Sequence, residues 1–250
     1  MRDRRDARRY RAPMLRRTFC AAALFLGLVQ GAAAQTAVDL QLALMVDASG
    51  SVNQYRFELQ KRGYVAALRN PRILGAILGG RTQSIAISMA QWTGPFLQVV
   101  VLPWTQLKDE ASVMSAAAIV EKTPRQLFGG GTSISGAIDY AMAMFPESPF
   151  KAERQVIDIS GDGSNNGGRS VVRARNEAVE KGVTINGLPI LAVEPYLDQY
   201  YRDYVIGGPG AFMVVANDFE SFGEAILKKM IVEIAANERR QGPVRHSALN

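Results

Sequence analysis

Three glycine-rich segments of the sequence carry side-chain oxygen atoms at close spacing. In "DASGS", Asp47, Ser49 and Ser51 stand at alternate positions, and the glycine between the serines lets the backbone bend. "GGGTS" contributes Thr132, and "GDGSNNGG" contributes Asp162. Hydroxyl and carboxylate oxygens, with no nitrogen or sulfur ligand among them, suit Mg²⁺, Mn²⁺ or Ca²⁺ rather than Zn²⁺. If the fold brings the three segments together, these side chains predict a site for one hard divalent cation.

Each of these residue types also has a more ordinary use, which is to cap a helix. Asp47 and Ser49 follow an apolar run at an expected turn from strand to helix, and Thr132 stands where a helix should begin. The Asp-x-Ser-x-Ser pattern alone is a weak signal, because it occurs by chance in many chains. The order of all three segments, each after the appropriate element, favours the metal site over capping.

Apolar and amphipathic stretches alternate along the chain and predict alternating strands and helices. Strands are expected at 40–46, 84–92, 97–104, 154–160, 183–191 and 211–216. Helices are expected at 53–69, with Asn53 as a cap, and at 109–122, 133–144 and 168–181. A closing helix, capped by Asp218, carries apolar residues from Phe222 to Ile234 at helical spacing.

This order predicts an α/β fold with a Rossmann-like, doubly wound sheet of six strands and helices on both faces. The sheet should be mostly parallel. It should have one antiparallel edge strand, because the link "TGPF" between the second and third strands is short enough for a hairpin. Loops at the carboxyl ends of parallel strands meet at one edge of such a sheet, where ligands usually bind. The three oxygen-bearing segments are all expected at that edge.

In these segments and in the order of its elements, the chain resembles von Willebrand factor A domains that carry a metal-ion-dependent adhesion site. The resemblance extends over residues 37–236. It implies that one divalent ion is surrounded by Asp47, Ser49, Ser51, Thr132 and Asp162. It further implies that the two serines bind the ion directly, Thr132 directly or through water, and the two aspartates largely through water. More narrowly, the chain resembles a family of exported bacterial proteins of this fold whose function is not established.

The resemblance also implies a role in protein–protein interaction. With three hydroxyl ligands, much of the ion's positive charge stays uncompensated, and one coordination position is open to an Asp or Glu carboxylate from a partner protein. Mg²⁺ is the expected ion, with Ca²⁺ and Mn²⁺ as alternatives. Gly161 departs from the family pattern, since many members have Ser or Thr before the third-segment Asp. That difference leaves the details of the third segment open.

An enzyme is the main alternative to a binding module. Asp47 follows a strand, as the nucleophile of a Mg²⁺-dependent phosphatase or phosphotransferase would. Such a site usually needs a second Asp two residues later, where this chain has Ser49, and no downstream lysine suits it. A Ser-His-Asp hydrolase is disfavoured because the one histidine, His246, lies in a polar C-terminal tail. We therefore expect a binding module without catalytic residues.

Aromatic residues near the same edge have two interpretations. Trp92, Trp104 and the tyrosines of "EPYLDQYYRDY" (194–204) could form an exposed recognition surface. Alternatively, they pack under a long loop, which is the interpretation we favour.

The first 34 residues have the features of a secretory signal peptide, with arginines, a short apolar run and then the small residues Ala32 to Ala34. We expect cleavage after Ala34, a folded domain over 35–236 and a disordered tail over 237–250. Paired arginines at 16 and 17 would also suit twin-arginine export, but the general secretory route is expected. The protein is therefore predicted to be periplasmic or secreted.

Removal of this leader changes the charge and the cysteine content. The leader holds eight of the 29 Lys and Arg and two of the 23 Asp and Glu, so 21 of each remain. A neutral chain gives no support to binding of nucleic acid or anionic membranes. Cys20, the only cysteine, is also lost, which excludes a disulfide or a thiolate metal site. No later apolar run approaches the roughly 20 residues of a membrane helix, so no membrane span is expected after cleavage.

Overall fold

The computed structural model describes residues 35–236 of the 250-residue chain. The signal peptide (1–34) and the tail (237–250) lie outside the described residues, and both stay predictions. Within the described range, every helix is too short or too polar to cross a membrane.

A five-stranded mixed sheet forms the centre of the fold. In chain order, the strands are β1 (Thr36–Val38), β2 (Gln41–Asp47), β3 (Ile85–Trp92), β4 (Gln98–Leu107), β5 (Phe150–Ala152), β6 (Gln155–Gly161) and β7 (Thr184–Pro189). The sheet has the order β4-β3-β2-β6-β7, and β1 and β5 form a separate parallel pair. All neighbours in the sheet are parallel except β3 and β4. The α/β class and the single antiparallel edge strand are therefore confirmed.

The prediction of a sixth strand at 211–216 is wrong, because this segment does not form a regular strand. This segment runs beside β7 and makes two isolated parallel bridges, Gly187 with Met213 and Ile190 with Ala216. The carbonyl of Pro189 accepts from the Ala216 amide at 3.0 Å, but proline has no N–H to donate in return. The ladder is interrupted at that residue, and the segment stays irregular.

Helices cover both faces of the sheet. They are α1 (Gln54–Arg69), α2 (Pro71–Leu78), α3 (Glu110–Lys122), α4 (Ile134–Met144), α5 (Val171–Glu180), α6 (Leu197–Tyr200), which continues into a π-helical turn (Tyr201–Val205), and α7 (Phe222–Ala235). Leu42 and Leu44 of β2 pack on the face covered by α1, α2, α3 and α7. Ala43 and Met45 pack on the face covered by α4, α5 and 197–205. All seven β2 residues are buried, as the continuous apolar run predicts for a central parallel strand.

Two helix starts differ in how well the sequence predicts them. Asn53 caps α1 as expected, since its side chain accepts from the Arg56 amide at 2.9 Å. Asp218 does not cap the closing helix. Its carboxylate accepts from the Ser221 amide at 2.7 Å in a separate turn, and α7 begins only after Ser221. This local bond places the start of the helix three residues later than expected.

Three charged side chains are buried in the core between β6 and α7. The Lys229 Nζ lies 2.6 Å from Asp158 Oδ1 and 2.5 Å from Glu233 Oε1. Asn186 on β7 donates to the same Glu233 oxygen at 2.8 Å. Two carboxyl groups thus share one ammonium group in a site without solvent access. Burial, together with the charge of Glu233, raises the pKa of Asp158 to about 7.

Candidate metal centre

The candidate site is built from three loops: the first loop (47–53), the second loop (123–133) and the third loop (161–170). The first and third loops follow β2 and β6, which pair in parallel with Val46 opposite Ser160. They therefore leave the sheet side by side. The second loop leads into α4, and its Gly130 carbonyl accepts from the Gly50 amide of the first loop at 3.2 Å. The three predicted segments meet at one edge of the sheet.

Four of the five predicted residues are linked by hydrogen bonds. Asp47 Oδ1 accepts from the Ser49 amide at 2.7 Å, and Asp47 Oδ2 accepts from the Asp162 amide at 3.4 Å. The Ser51 hydroxyl donates to Asp162 Oδ1 at 2.6 Å. The hydroxyls of Ser49 and Ser51 are 3.2 Å apart. The first and third loops thus bring two carboxylates and two hydroxyls into one cluster.

The fifth residue, Thr132, is held beside the third loop. Its amide donates to Asn166 Oδ1 and its carbonyl accepts from the Asn166 amide, both at 2.8 Å. Its hydroxyl faces Gly163, because a Cβ on that glycine would lie 3.4 Å from Thr132 Oγ1. Thr132 is therefore near the cluster, although the structure shows no hydrogen bond between its hydroxyl and the other four residues.

Helix capping does not explain these residues. Asn53, and not Asp47 or Ser49, supplies the side-chain cap of α1. Ser133, and not Thr132, caps α4, since its hydroxyl accepts from the Gly136 amide at 3.1 Å. The five candidate residues are therefore available for another use.

The two carboxylates of the cluster lie in an unfavourable environment for negative charge. Asp47 and Asp162 both have no solvent-accessible surface. Burial, with a further contribution from the charge of Asp162, raises the pKa of Asp47 to about 7. Burial also raises the pKa of Asp162, although the bond from Ser51 and the charge of Arg56 oppose the shift. A positive charge placed between the two carboxylates would relieve this cost.

The donor set fits a hard divalent cation. Asp162 Oδ2 is buried and has no hydrogen-bond partner among the described residues, and such an orphaned acceptor costs about 1–3 kcal/mol. Residues 35–236 contain no group of three or more His, Cys, Asp or Glu side chains that could hold a metal ion. The cluster has two carboxylates and relies on hydroxyls for its remaining oxygens. This chemistry matches Mg²⁺ or Mn²⁺ better than a thiolate or imidazole metal.

Two further residues fix the backbone of the first loop. Arg125, from the second loop, donates through Nη2 to the carbonyls of Ala48 (2.9 Å) and Ser49 (3.2 Å). Gln60 on α1 donates to the Asp47 carbonyl at 3.1 Å. Sequence reasoning missed both, because no local pattern indicates a contact across 77 or 13 positions. Both residues bind backbone carbonyls of the first loop, so its side chains stay free to contact the third loop.

Glu194, in the segment after β7, is a third carboxylate near the site that the sequence did not indicate. Its Oε1 accepts from the Ser164 amide at 2.9 Å and from the Ser164 hydroxyl at 3.2 Å. The same oxygen would lie 3.5 Å from a Cβ on Gly163. Its charge contributes to the raised pKa of Asp162. Glu194 therefore both shapes the third loop and adds to its negative potential.

The structure explains why Gly161 departs from the family pattern. A Cβ at this position would lie 2.9 Å from Asp47 Oδ2 and 3.2 Å from the Tyr201 hydroxyl. Tyr201 is fully buried, and its ring also faces Gly187, where a Cβ would lie 2.5 Å from Cδ1. The space that a Ser or Thr side chain would need is taken by the Asp47 carboxylate and the Tyr201 hydroxyl.

The aromatic residues divide between the two interpretations. Trp92 and Tyr201 are fully buried, and Trp104 donates its indole N–H to the Met144 carbonyl at 2.9 Å. These residues pack, as we favoured. Tyr196, however, is 73% exposed and Tyr204 is 46% exposed. The segment 194–204 thus contributes both to packing and to the surface.

The fold is that of a von Willebrand factor A-like domain. A von Willebrand factor type A structure from Catenulispora acidiphila has 15% sequence identity and a TM-score of 0.56, over 80% of this chain and 43% of that one. The pilus adhesin SpaC from Lactobacillus rhamnosus GG has 14% identity and a TM-score of 0.58, over 80% and 31%. Proximal thread matrix protein 1 from the mussel byssus, in a form with a zinc-occupied MIDAS (metal-ion-dependent adhesion site) motif, has 15% identity and a TM-score of 0.54, over 81% and 47%. At these identities the likeness shows the fold alone, and this chain spans less than half the length of each structure.

Within this class, the chain belongs to DUF1194, a family of proteins of unknown function, whose sequence profile matches residues 37–238. The match covers the whole sheet and all the helices described above. No curated protein matches the chain in sequence.

Proposed function

We propose that this chain is an exported domain that binds a divalent cation and, through it, a partner protein. The observation that carries the proposal is the convergence of Asp47, Ser51 and Asp162 from two loops, with one buried carboxylate oxygen of Asp162 left without a hydrogen-bond partner. The export signal predicted at residues 1–34 supports a location in the periplasm or outside the cell.

In the proposed site, the chain's own residues supply a set of oxygen ligands with little negative charge. Ser49, Ser51 and Thr132 contribute neutral hydroxyls, and Asp47 and Asp162 contribute carboxylates. When bound, the cation supplies a positive charge that attracts an oxygen ligand from outside the chain. Mg²⁺ is the proposed ion, and Mn²⁺ and Ca²⁺ fit the same donors.

Exposed aromatic side chains near the site support a protein as the partner. Phe96 is 94% exposed, and its neighbour Pro95 packs against the third loop, 3.6 Å from a Cβ on Gly167. Phe128 is 72% exposed on the second loop, and Tyr196 follows Glu194 by two residues. Aromatic side chains of this kind are enriched in protein interfaces. A carboxylate at the ion, surrounded by apolar contacts, is the arrangement expected of a partner surface.

The names of two structural neighbours, a pilus adhesin and a thread matrix protein, support an interaction role over a catalytic one. The position of Asp47 disfavours the phosphotransferase alternative. Its side chain is fully buried, and both carboxylate oxygens accept hydrogen bonds, from the amides of Ser49 and Asp162. A nucleophilic carboxylate needs an open approach for the phosphoryl group.

Titration of the purified protein with Mn²⁺, followed by loss of the free-ion electron paramagnetic resonance signal, tests the metal site. One bound ion per chain is expected, with displacement by Mg²⁺. Asp162→Asn should weaken Mn²⁺ binding by tenfold or more, because it removes a charge and an anionic ligand. Asp203→Asn, at an exposed carboxylate, is the matched control and should bind as the wild type does.

Capture of partners from a periplasmic extract, with Mg²⁺ and again with EDTA, tests the interaction. Partners that depend on the ion should be lost in EDTA and with Asp47→Ala. A partner that binds equally well in EDTA, and equally well to Asp47→Ala and Asp162→Asn, would contradict the proposal. Cell fractionation with an antibody to the chain tests export, and a purely cytoplasmic location would contradict it.

A further inference from the structure

Arg56 is a cation fixed at the edge of the candidate metal site. It lies in the first turn of α1, and its Nη1 donates to the Ser51 carbonyl at 2.7 Å. The same nitrogen lies 3.7 Å from Asp162 Oδ2, the carboxylate oxygen without a hydrogen-bond partner. The guanidinium also stacks over the Phe219 ring, with its Cζ 5.2 Å from the ring centroid. These contacts hold the positive charge beside Asp162 and keep it from extending freely into solvent.

Three acidic and two basic side chains lie at or beside the site. Asp47, Asp162 and Glu194 are the acidic residues, and Arg56 and Arg125 are the basic ones. Arg125 is 8% exposed, and it binds the carbonyls of Ala48 and Ser49 from behind the loop. A divalent cation added to these five groups leaves the site with an excess of positive charge. The positive charges of the arginines oppose binding of the cation, and the site that holds the cation attracts an anion.

Only one of the two arginines is placed to contact an incoming ligand. Arg125 is buried, and two of its three nitrogens donate to backbone carbonyls, Nε to that of Leu127 and Nη2 to those of the first loop. Arg56 uses Nη1 alone among the described residues, and its side chain is 31% exposed. Its Nε and Nη2 groups are left to donate to a carboxylate that approaches the site.

We propose that Arg56 weakens binding of the divalent cation and strengthens binding of the anionic group that the cation attracts. This inference rests on the proposed function, because it assumes a cation at Asp162 and a carboxylate from outside the chain. The same side chain then lowers the affinity for one ligand and raises the affinity for the other. It sets the site to bind cation and carboxylate together in preference to the cation alone.

Arg56→Gln tests the inference, because glutamine is a polar side chain without the charge. Mn²⁺ affinity is measured by electron paramagnetic resonance. Arg56→Gln should bind Mn²⁺ about tenfold more tightly than the wild type, and the difference should shrink at high salt. Arg56→Lys keeps the charge and should stay close to the wild type.

The second measurement uses acetate as the carboxylate probe. Acetate that displaces water from the protein-bound Mn²⁺ lowers the water-proton relaxation rate. Arg56→Gln should need several-fold more acetate than the wild type for half of this effect. Arg69→Gln is the matched control: it lies on the same helix, about 20 Å from Arg56, in an exposed pair with Glu121, and should change neither value.

An Arg56→Gln protein with wild-type Mn²⁺ affinity, or with wild-type acetate affinity, would overturn the inference and leave the proposed function intact. Failure of the wild type to bind Mn²⁺ would overturn both. Circular dichroism spectra of all the variants show whether each one is folded.

Discussion

The hydroxyl of Ser51 donates a 2.6 Å hydrogen bond to Oδ1 of Asp162, although 111 positions separate the two residues in the chain. This bond joins the first and third loops and occupies one oxygen of a buried carboxylate. The other oxygen of Asp162 has no hydrogen-bond partner among the described residues. The chain itself therefore organises the site and leaves one buried carboxylate oxygen of Asp162 without a hydrogen bond.

Ser51→Ala removes both this bond and one proposed ligand. We expect Mn²⁺ affinity to fall by about tenfold or more, while stability in EDTA falls by only about 1 kcal/mol, the usual worth of one hydrogen bond. Calorimetric titration and urea unfolding measure the two effects. Ser115→Ala, at an exposed serine of α3, is the control and should change neither. A Ser51→Ala protein with normal Mn²⁺ affinity would count against Ser51 as a ligand.

Gly161→Ser should destabilise the protein, because its Cβ would press on Asp47 Oδ2 and on the Tyr201 hydroxyl. We expect a loss of about 1–3 kcal/mol in urea unfolding. Tyr201→Phe removes the hydroxyl, so the double variant should be more stable than the sum of the single effects predicts. Gly75→Ser, at a helical glycine whose Cβ would meet nothing within 4 Å, should cost little. Additive effects would show that the tyrosine hydroxyl does not occupy the space.

Two variants of Glu194 distinguish the effect of its charge from the effect of its hydrogen bonds. Glu194→Gln keeps an oxygen for the Ser164 amide and hydroxyl but removes a negative charge near Asp162, so Mn²⁺ affinity should fall a few-fold. Glu194→Ala also releases the third loop and should weaken binding further. Hydrogen exchange at the Ser164 amide should rise in Glu194→Ala and stay slow in Glu194→Gln. Equal exchange in the two variants would contradict a role in holding the loop.

The buried cluster around Asp158 predicts a dependence of stability on pH. Its pKa of about 7 in the folded chain lies above the ordinary 3.8, so the folded chain keeps a proton that the unfolded chain releases. The contribution of Asp158 to the free energy of unfolding should therefore be highest at about pH 4 and below. It should fall by more than about 1 kcal/mol as the pH rises to 7, and level off above that.

Asp158→Asn should remove much of this loss, measured by urea unfolding in EDTA at pH 5 and pH 8. The variant keeps the shape of the side chain, and Lys229 can still pair with Glu233. Asp203→Asn, on the surface, should keep the wild-type pH dependence. An unchanged pH dependence in Asp158→Asn would show that this carboxyl is not the group responsible.

The sequence was sufficient for the regular part of the fold, because apolar runs and helical spacing depend on neighbouring residues. The strand that ends at Asp47 and the strand that ends at Gly161 were both predicted close to their observed limits. The strand expected at 211–216 failed for a reason outside its own residues, since the missing N–H belongs to Pro189 on β7. Helix α2 was not predicted, because Pro71 suggests a break, although it occupies a helical first turn after the Asn70 cap.

The sequence indicated the side chains of the candidate site and not the residues around them. The spacing of Asp47, Ser49 and Ser51 is local, and the resemblance supplied the other two loops. Arg56, Arg125 and Glu194 were missed, because each contributes through contacts that only the folded chain creates. Charged residues of these types are common on surfaces, so nothing in their sequence context distinguishes them.

Thr132 and Asn166 exchange two hydrogen bonds, one through the side chain and one between backbone groups. A shift of about an ångström in the second or the third loop would either break these hydrogen bonds or move the other loop with it. A rearrangement that brings the threonine hydroxyl toward a bound ion would therefore have to move the segment after Asp162 in the same step, so the second and third loops would change shape together.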